Sequence, residues 1–390
     1  MLKQSFAILE VLLGAIGQRL GSSLVTIVGI AGVVGVLVSM LAMAQGFQHT
    51  LVATGRADRA IILSKGAPNE SSSNLSHDVA ITLGDSGGIE KGSDGKPIVS
   101  REMLVQLRAP RRDGTLGVVT VRGIESGAIR LRPEIRLVQG RLFHPGLHEL
   151  IVGRALQTQF PSLQPGASII LQGSPWAIVG SFASAGDAHE SEMMGDAAGL
   201  SSAYHRTGFQ SVTVALKSPA ALAQLKASLE SNTSLAAEAQ REDLYYAARS
   251  LVIIRVLTGI GLLVGGIMAL GAVFASLNTM YAAVASQASL IATLRAIGFN
   301  SFAVSVAVLS EALLLGVAGA VLGALLAALF FNGHALGMAS NQAQIFYVIQ
   351  ITPRLALTGV GWALAIGILG GLFPAIRAAR LPLAEALRAL

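Results

Sequence analysis

His144 and His148 stand four residues apart with Glu149 alongside, a spacing that on one helical face would hold a divalent metal. Pro145 and Gly146 lie between them and break any such helix, so the pair reads as two solvated turn histidines. His189, Glu190, Glu192 and Asp196 form an acidic, loop-like cluster, open to three readings: ligand binding, an interaction loop, or plain solvated surface. Ser201, Ser202 and His205 are too generic in spacing to define a nucleophile and its base. The chain has no cysteine, which excludes disulfides, thiolate metal sites and cysteine nucleophiles. With no nucleophile, metal set or acid pair in view, no catalytic residue, metal site or cofactor is expected in this chain.

Glu311 is different in kind, because it is the only acidic residue well inside an apolar run. A carboxylate in lipid is costly and must face the helix bundle or pair with a partner. Two roles stay open for it: coupling or substrate passage, and hydrogen-bonded packing.

The elements that carry these residues are set by the apolar pattern. Of the 390 residues 52% are hydrophobic and 13% charged, well below the quarter or so typical of soluble domains. Four apolar runs each exceed the roughly 20 residues a helix needs to cross a bilayer. They place spans at 20–45, 251–277, 302–331 and 355–376. The fold class expected is an α-helical membrane protein with four transmembrane helices and an α+β extracytoplasmic domain, residues 46–250, inserted between the first two. Residues 278–301 and 332–354 form the short loops, and 377–390 a tail. Residues 1–19 read either as an interfacial amphipathic helix or as an extension of the first span. The first run is too long for a signal-peptide core and reads as a retained anchor.

Short flanks orient the chain. Lys3 and Arg19 precede the first span, Arg295 lies in the loop between the second and third, and Arg377, Arg380 and Arg388 follow the fourth. The 332–350 stretch has no Lys or Arg. The positive-inside rule then puts both termini and Arg295 in the cytoplasm and the large domain outside it. Within that domain, Val118–Val121, Glu149–Val152, Ser168–Leu171, Ala177–Val179 and Ser211–Leu216 read as strands, and Pro219–Leu229 as a helix. The net charge of +6 is not gathered into a basic tract, so nucleic acid is not an expected partner.

Glycine pairs recur at helix-packing spacing: Gly261 and Gly265, Gly319 and Gly323, Gly367 and Gly371. Such pairs let backbones approach closely, within one chain or between two. In the loop between spans two and three, Leu290, Leu294 and Ile297 fall on one helical face with Ile291 nearby, Arg295 on the flank and Gly298 as a stop. This short helix reads as a rigid cytoplasmic knob, or as an interfacial helix resting on lipid.

Several segments in order resemble the FtsX-like permease family, the membrane subunits of MacB-type (type VII) ABC transporters. They are Arg19 to Leu24 with Thr26 to Ile30, Gly140 to Phe143 with Glu149 to Gly153, Thr293 to Gly298, Glu311-Ala312, and Gly371 to Ala375 followed by Ala378 to Arg380 and Glu385 to Arg388. The resemblance implies a permease of the bacterial inner membrane, not itself an enzyme, with its large domain in the periplasm. It implies a second permease copy and a dimer of separate cytoplasmic ATPases binding ATP and Mg, because no Walker A motif is present here. The loop residues Leu290, Ile291, Leu294, Arg295, Ile297 and Gly298 would dock that ATPase. Many relatives carry Arg-Glu where this chain has Ala288 and Ser289. The family's tasks include efflux with a periplasmic adaptor and an outer-membrane channel, lipoprotein release, and control of a cell-wall hydrolase; the outer domain's length favours efflux. A receptor or scaffold without an ATPase is the reading from another class.

Overall fold

The computed structural model describes residues 20–125, 127–339 and 344–381. The segments expected at 1–19 and at 382–390 lie outside the described residues.

Along the chain, α1 (Leu20–Thr54) is followed by β1 (Arg59–Ser64), β2 (Leu75–Ser76), α2 (His77–Leu83), β3 (Val99–Pro110) and β4 (Leu116–Ile124). Next come α3 (Ala128–Leu131), β5 (Arg136–Gly140), β6 (Glu149–Gly153), α4 (Arg154–Gln159), β7 (Ser168–Leu171), β8 (Ser174–Ala183) and β9 (Glu192–Asp196). Then follow α5 (Ala197–Ala203), β10 (Gly208–Phe209), β11 (Ser211–Ala215), α6 (Leu222–Ser231) and β12 (Ala237–Arg241). The last part holds α7 (Glu242–Ser286), α8 (Ala288–Ala296), α9 (Ser301–Phe331), β13 (Ala335–Ala339), β14 (Gln344–Val348) and α10 (Pro353–Ala379).

Among the described residues four helices, α1, α7, α9 and α10, are long and apolar enough to cross a membrane. No Lys, Arg, Asp or Glu interrupts α1. At 35 and 45 residues, α1 and α7 extend about 52 and 68 Å, against about 30 Å of hydrocarbon. Each therefore continues well beyond a bilayer's core, which the hydropathy of the spans alone does not disclose. Glu242 and Asp243 open α7, where carboxylates favour the positive end of the helix dipole. Asn300 caps α9 by accepting from Phe302 N, and Thr352 caps α10 from Leu355 N, with Pro353 in the first turn.

The chain divides into two compact units. One comprises 1–45, 255–334 and 349–390; the other comprises 46–254 and 335–348. In the first unit the glycine pairs act within the chain. A β-carbon at Gly323 would stand 2.5 Å from the Ala31 carbonyl oxygen, and one at Gly319 2.9 Å from that of Ile27, so α9 lies backbone-to-backbone on α1. Gly261 and Gly265 of α7 face Met40 and Leu37 of α1, with β-carbon distances of 3.2 and 3.1 Å. Gly367 and Gly371 of α10 press on Ala312 of α9. Glu311 is buried on α9, 5% exposed, among Val308, Ala312 and Leu315, and it is not without a partner.

In the second unit a mixed sheet runs in the order β12-β1-β11-β3-β4-β9-β6-β8-β5, with β7 also on β8. The β4–β9 and β6–β8 pairs are parallel and the others antiparallel. The strands and the helix expected from the sequence are present within it. Three apolar cores share this sheet, the smallest around Ile124, Ile151, Phe182 and Met194. Of the two larger, the first gathers Met103, Val121, Leu150, Phe160, Trp176 and Met193; the second gathers Ile62, Leu83, Val212, Val214, Leu225 and Leu229. The 12-residue strand β3 serves both, with Val99 in the second and Met103 and Val105 in the first.

The acidic stretch read as a loop is the strand β9, central in the sheet between β4 and β6. Met193 and Met194 are fully buried there and His189, just before it, is 1% exposed. Buried partners satisfy its charges, so local polarity was a poor guide. The segment 332–354, expected as a plain loop, holds the β13–β14 hairpin, with Phe346 in the first apolar core.

The Gly323→Val variant should lose about 1–3 kcal/mol through overpacking against backbone that cannot yield. Thermal unfolding in detergent checks this against Gly266→Val, where a β-carbon meets nothing within 4 Å.

Candidate functional site

The loop helix α8 ends in a Schellman motif. Phe299 N donates to Leu294 O and Gly298 N to Arg295 O, both at 3.1 Å, with Gly298 at φ +104°. Leu294 and Phe299 pack on one apolar cluster, the hydrophobic contact that accompanies this motif. Ile291 is 0% exposed in that cluster beside Met280, Val284 and Val304. Arg295 Nη1 donates to Leu381 O at 2.6 Å, and Arg377 lies 5.4 Å over the Tyr281 ring.

The helix is thereby fixed to its own unit, and the expected docking face divides. Ile291 and Leu294 turn inward, Leu290 is half-buried, Arg295 holds the chain beyond α10, and Ile297 stands out at 69% exposure. Helical periodicity placed Leu290, Leu294 and Ile297 on one face. In the structure the ends of α7, α9 and α10 cover the side bearing Ile291 and reach Leu294, whereas Ile297, the C-cap residue, lies beyond that cover.

A second arrangement escaped the sequence reading. Around the start of α7 and the end of α1, charged side chains form a buried lattice. Arg59 Nε pairs with Glu242 at 2.6 Å, and its Nη1 reaches Glu134 Oε1 at 2.6 Å and Leu131 O at 2.8 Å. Arg132 donates to Glu102 at 2.6 and 3.2 Å and lies 3.9 Å from Glu242. Arg122 reaches Glu102 at 2.7 Å, Glu70 at 2.8 Å and Glu192 at 2.6 Å. Ser211 Oγ donates to Glu70, and His189 Nδ1 lies 3.2 Å from Glu192. Arg59, Arg122, Arg132, Glu102 and Glu242 are each no more than 2% exposed.

This lattice binds the two long helices to the sheet. Glu242 belongs to the first turn of α7 and Arg59 to the first residue of β1. Thr54, the last residue of α1, accepts from Ala188 N at 2.9 Å and offers its carbonyl to Arg59 Nη2 at 3.3 Å. A β-carbon at Gly55 would stand 2.5 Å from Asp243 Cα, so only glycine lets the two chain segments touch. The β13–β14 hairpin joins the same assembly. Phe346 N donates to Ser191 Oγ at 2.8 Å, Phe346 meets Phe160 edge-on, and Tyr347 meets Phe47 edge-on at 5.6 Å.

Electrostatics make the lattice self-consistent. Burial alone would push Glu102 up, but Arg132 and Arg122 outweigh it and hold its carboxyl at about 2. Burial likewise opposes ionisation of Glu192, and Arg122 overrides it to hold the carboxyl far below the usual range. Asp187 lacks such a cation and burial pushes it up to about 6. Glu149 is held at about 2 by Arg141, which pairs with it at 2.5 Å beside His144. His144 is an exposed turn residue, and His148 stacks on Trp176 at 4.5 Å. Among the described residues no three His, Asp or Glu side chains gather as a metal site.

The signal for the lattice was present but indirect. Arg122 interrupts the otherwise largely apolar strand β4, where an unpaired charge would be prohibitively costly. A charge at such a position demands a partner, but the partner's identity depends on which strands become neighbours.

Four membrane-crossing helices with a mixed α/β domain inserted between the first and second define a multi-pass membrane protein carrying a periplasmic-type domain. Residues 23–232 match the family model of the MacB-like periplasmic core domain, and residues 262–383 that of the FtsX-like permease C-terminal. The chain belongs to the MacB/FtsX-like family of ABC transporter permeases. Among solved structures it is similar to the periplasmic region of MacB from Actinobacillus actinomycetemcomitans, at 16% identity and TM-score 0.38, over 49% of this chain and 92% of that one. It is also similar to the extracellular domain of the noncanonic ABC-type transporter YknZ from Gram-positive bacteria, at 16% identity and TM-score 0.36, over 47% of this chain and 100% of that one. The comparison with curated proteins found no match.

Glu102→Gln should destabilise the protein by about 3–5 kcal/mol, because it removes a buried carboxylate shared by two guanidiniums and leaves Arg132 only the 3.9 Å approach to Glu242; chemical unfolding of the purified chain measures this. The pH dependence has two limbs. Glu102 and Glu149 have folded values near 2 against 4.5 for the free group, so their stabilisation is complete above 4.5 and disappears as pH falls towards 2. Asp187 has a raised value, so it costs stability as pH rises through about 6. Thermal unfolding across pH should show both limbs, and Asp187→Asn should remove the upper one.

Proposed function

We propose that this chain carries work done by a separate cytoplasmic ATPase across the membrane into its extracytoplasmic domain, for efflux with a periplasmic adaptor and an outer-membrane channel. Two copies pair and engage an ATPase dimer, which binds the ATP and Mg. No substrate passes through the lipid along the chain; the work is mechanical and is done on the outer domain. Both termini and the α8 loop lie in the cytoplasm on this reading.

The observation that carries it is the clamp at Arg59 and Glu242. A helix transmits displacement only if its far end is held by something stiff. Here α1 and α7 are continuous helices, and their outer ends are locked to one sheet by buried ion pairs. Packed interiors transmit strain rather than absorbing it. At the other end of the same helices, α8 is fixed to its unit by Ile291, Leu294 and Arg295, so a push on it would move α7 and α9 rather than bend a loop. Ile297 and the adjoining Gly298 are the exposed surface for that push. Glu311 and the glycine pairs support the reading as structural members, since close helix packing keeps the unit stiff.

Mild-detergent purification of the chain from its native membrane, with mass spectrometry of the co-purifying proteins, tests the reading. An ABC ATPase with an adaptor is the expected outcome. An ATPase with a second, related permease would indicate lipoprotein release instead, and the absence of any ATPase would overturn the proposal. Ile297→Asp should abolish ATPase co-purification while shifting stability by less than about 0.5 kcal/mol, as exposed substitutions do.

A further inference from the structure

We propose that the free edge of β12, together with the groove between it and α6, binds an extended, charge-neutral polypeptide segment of a partner protein by adding it to the sheet as a further strand.

β12 ends the sheet, and among the described residues β1 is its one strand partner. Its five residues keep register with β1 from Ala237 opposite Ser64 to Arg241 opposite Ala60, a row of about 17 Å at roughly 3.3 Å per residue. Lys65 N donates to Ala236 O at 2.7 Å, which fixes the alternation of the antiparallel ladder. Glu238 and Gln240 turn their backbone groups to β1, and Ala237 and Ala239 turn theirs outward. Such a row of unpaired N–H and C=O groups is a template for another extended backbone. At the opposite edge β5 shifts register between Leu137 and Gln139, which interrupts the row there.

The edge also has a place for side chains. A cavity of about 360 Å³ opens between α6 and β12, floored by Leu229, Ala237 and Ala239. Ala237 and Ala239 turn their side chains to the α6 face, where Ala239 joins Leu225 and Leu229 in one apolar core. A strand laid on β12 would pair its backbone with these two alanines and turn every second side chain over the cavity. Strand addition draws affinity from the backbone and specificity from such pockets.

The groove itself defines the occupant. Its rim carries both signs, Lys65 and Lys226 against Glu230 and Glu238, so it favours neither a polyanion nor a polycation. A second copy pairing through the same strand about Ala239 would set its Arg241 opposite Ala237. That would bring another cation to Lys65 and Lys226, with only the methyl of Ala239 to enter the cavity. Large apolar side chains at alternate positions of a neutral strand fill the space without adding charge.

The absence of native cysteine permits a clean probe. Thr233→Cys, at the cavity wall, is labelled with bimane in the full chain in detergent. The ligand is a short acetylated and amidated peptide in which leucine alternates with threonine. It should give a saturable fluorescence change that raised salt leaves unaltered, because screening acts on net charge interactions. Two further peptides carry N-methyl groups, one on the leucine amides and one on the threonine amides. Binding should vanish for one and persist for the other, since a strand turns alternate N–H groups to opposite sides. Ala237→Leu, whose side chain enters the cavity, should weaken the parent peptide about tenfold and leave thermal unfolding unchanged. Binding of both methylated peptides, loss of both, no binding of the parent, or its loss in salt would overturn the proposal. So would a bimane change that follows protein concentration without peptide, which would assign the edge to a second copy. The measurement needs no ATPase, so its failure leaves the transport reading standing.

Discussion

Glu102 is completely buried and ionised, and much of the extracytoplasmic unit is organised by what that requires. A carboxylate without water needs cations close by. Arg122 and Arg132 supply them, and each of these, being buried too, needs further carboxylates. Arg122 recruits Glu70 and Glu192; Arg132 approaches Glu242, which Arg59 completes together with Glu134. The demand for neutralisation thus spreads from β3 and β4 to β1, β9 and the first turn of α7. The lattice fixes where the long helices end relative to the sheet they carry.

The membrane-spanning unit reaches stiffness by another route. Lipid removes the hydrophobic drive for helices to associate, so contact depends on shape. Gly319 and Gly323 let α9 lie against the backbone of α1, while Gly367 and Gly371 bring α10 onto Ala312. The same glycines could have served contact between two copies, and their neighbours within the chain decide the matter for these faces. Close packing and ion pairing are alternative solutions to one problem, suited respectively to lipid and to a domain with many polar strands.

At the loop between α7 and α9, the Schellman stop at Gly298 and the burial of Ile291 combine to anchor a short helix to its neighbours. Its exposed positions are Thr293 and Ala296, followed just beyond it by Ile297 and Gly298. Ile291 and Ile297 stand six residues apart, about 120° around the helix, so neighbours that cover the first leave the second outward.

Length and hydropathy by themselves determined the four apolar helices, the inserted domain, and five of its strands, because burial in lipid and alternation on a sheet leave direct marks on residue order. The motifs Thr293 to Gly298 and Gly371 to Ala375 also pointed to the family through residue order alone. Three features were decided only by tertiary structure. The sequence around Glu192 looked like a solvated loop because its partner Arg122 becomes a neighbour only when β9 enters between β4 and β6. The hairpin of 335–348 was invisible because its stability comes from Phe346 entering a core built by residues far away in sequence. Which α8 residues are exposed was not legible, because periodicity states which residues share a side, and not which side its neighbours cover. Local sequence records the environment each residue can tolerate; the identity of that environment is set by non-local pairing of strands and helices.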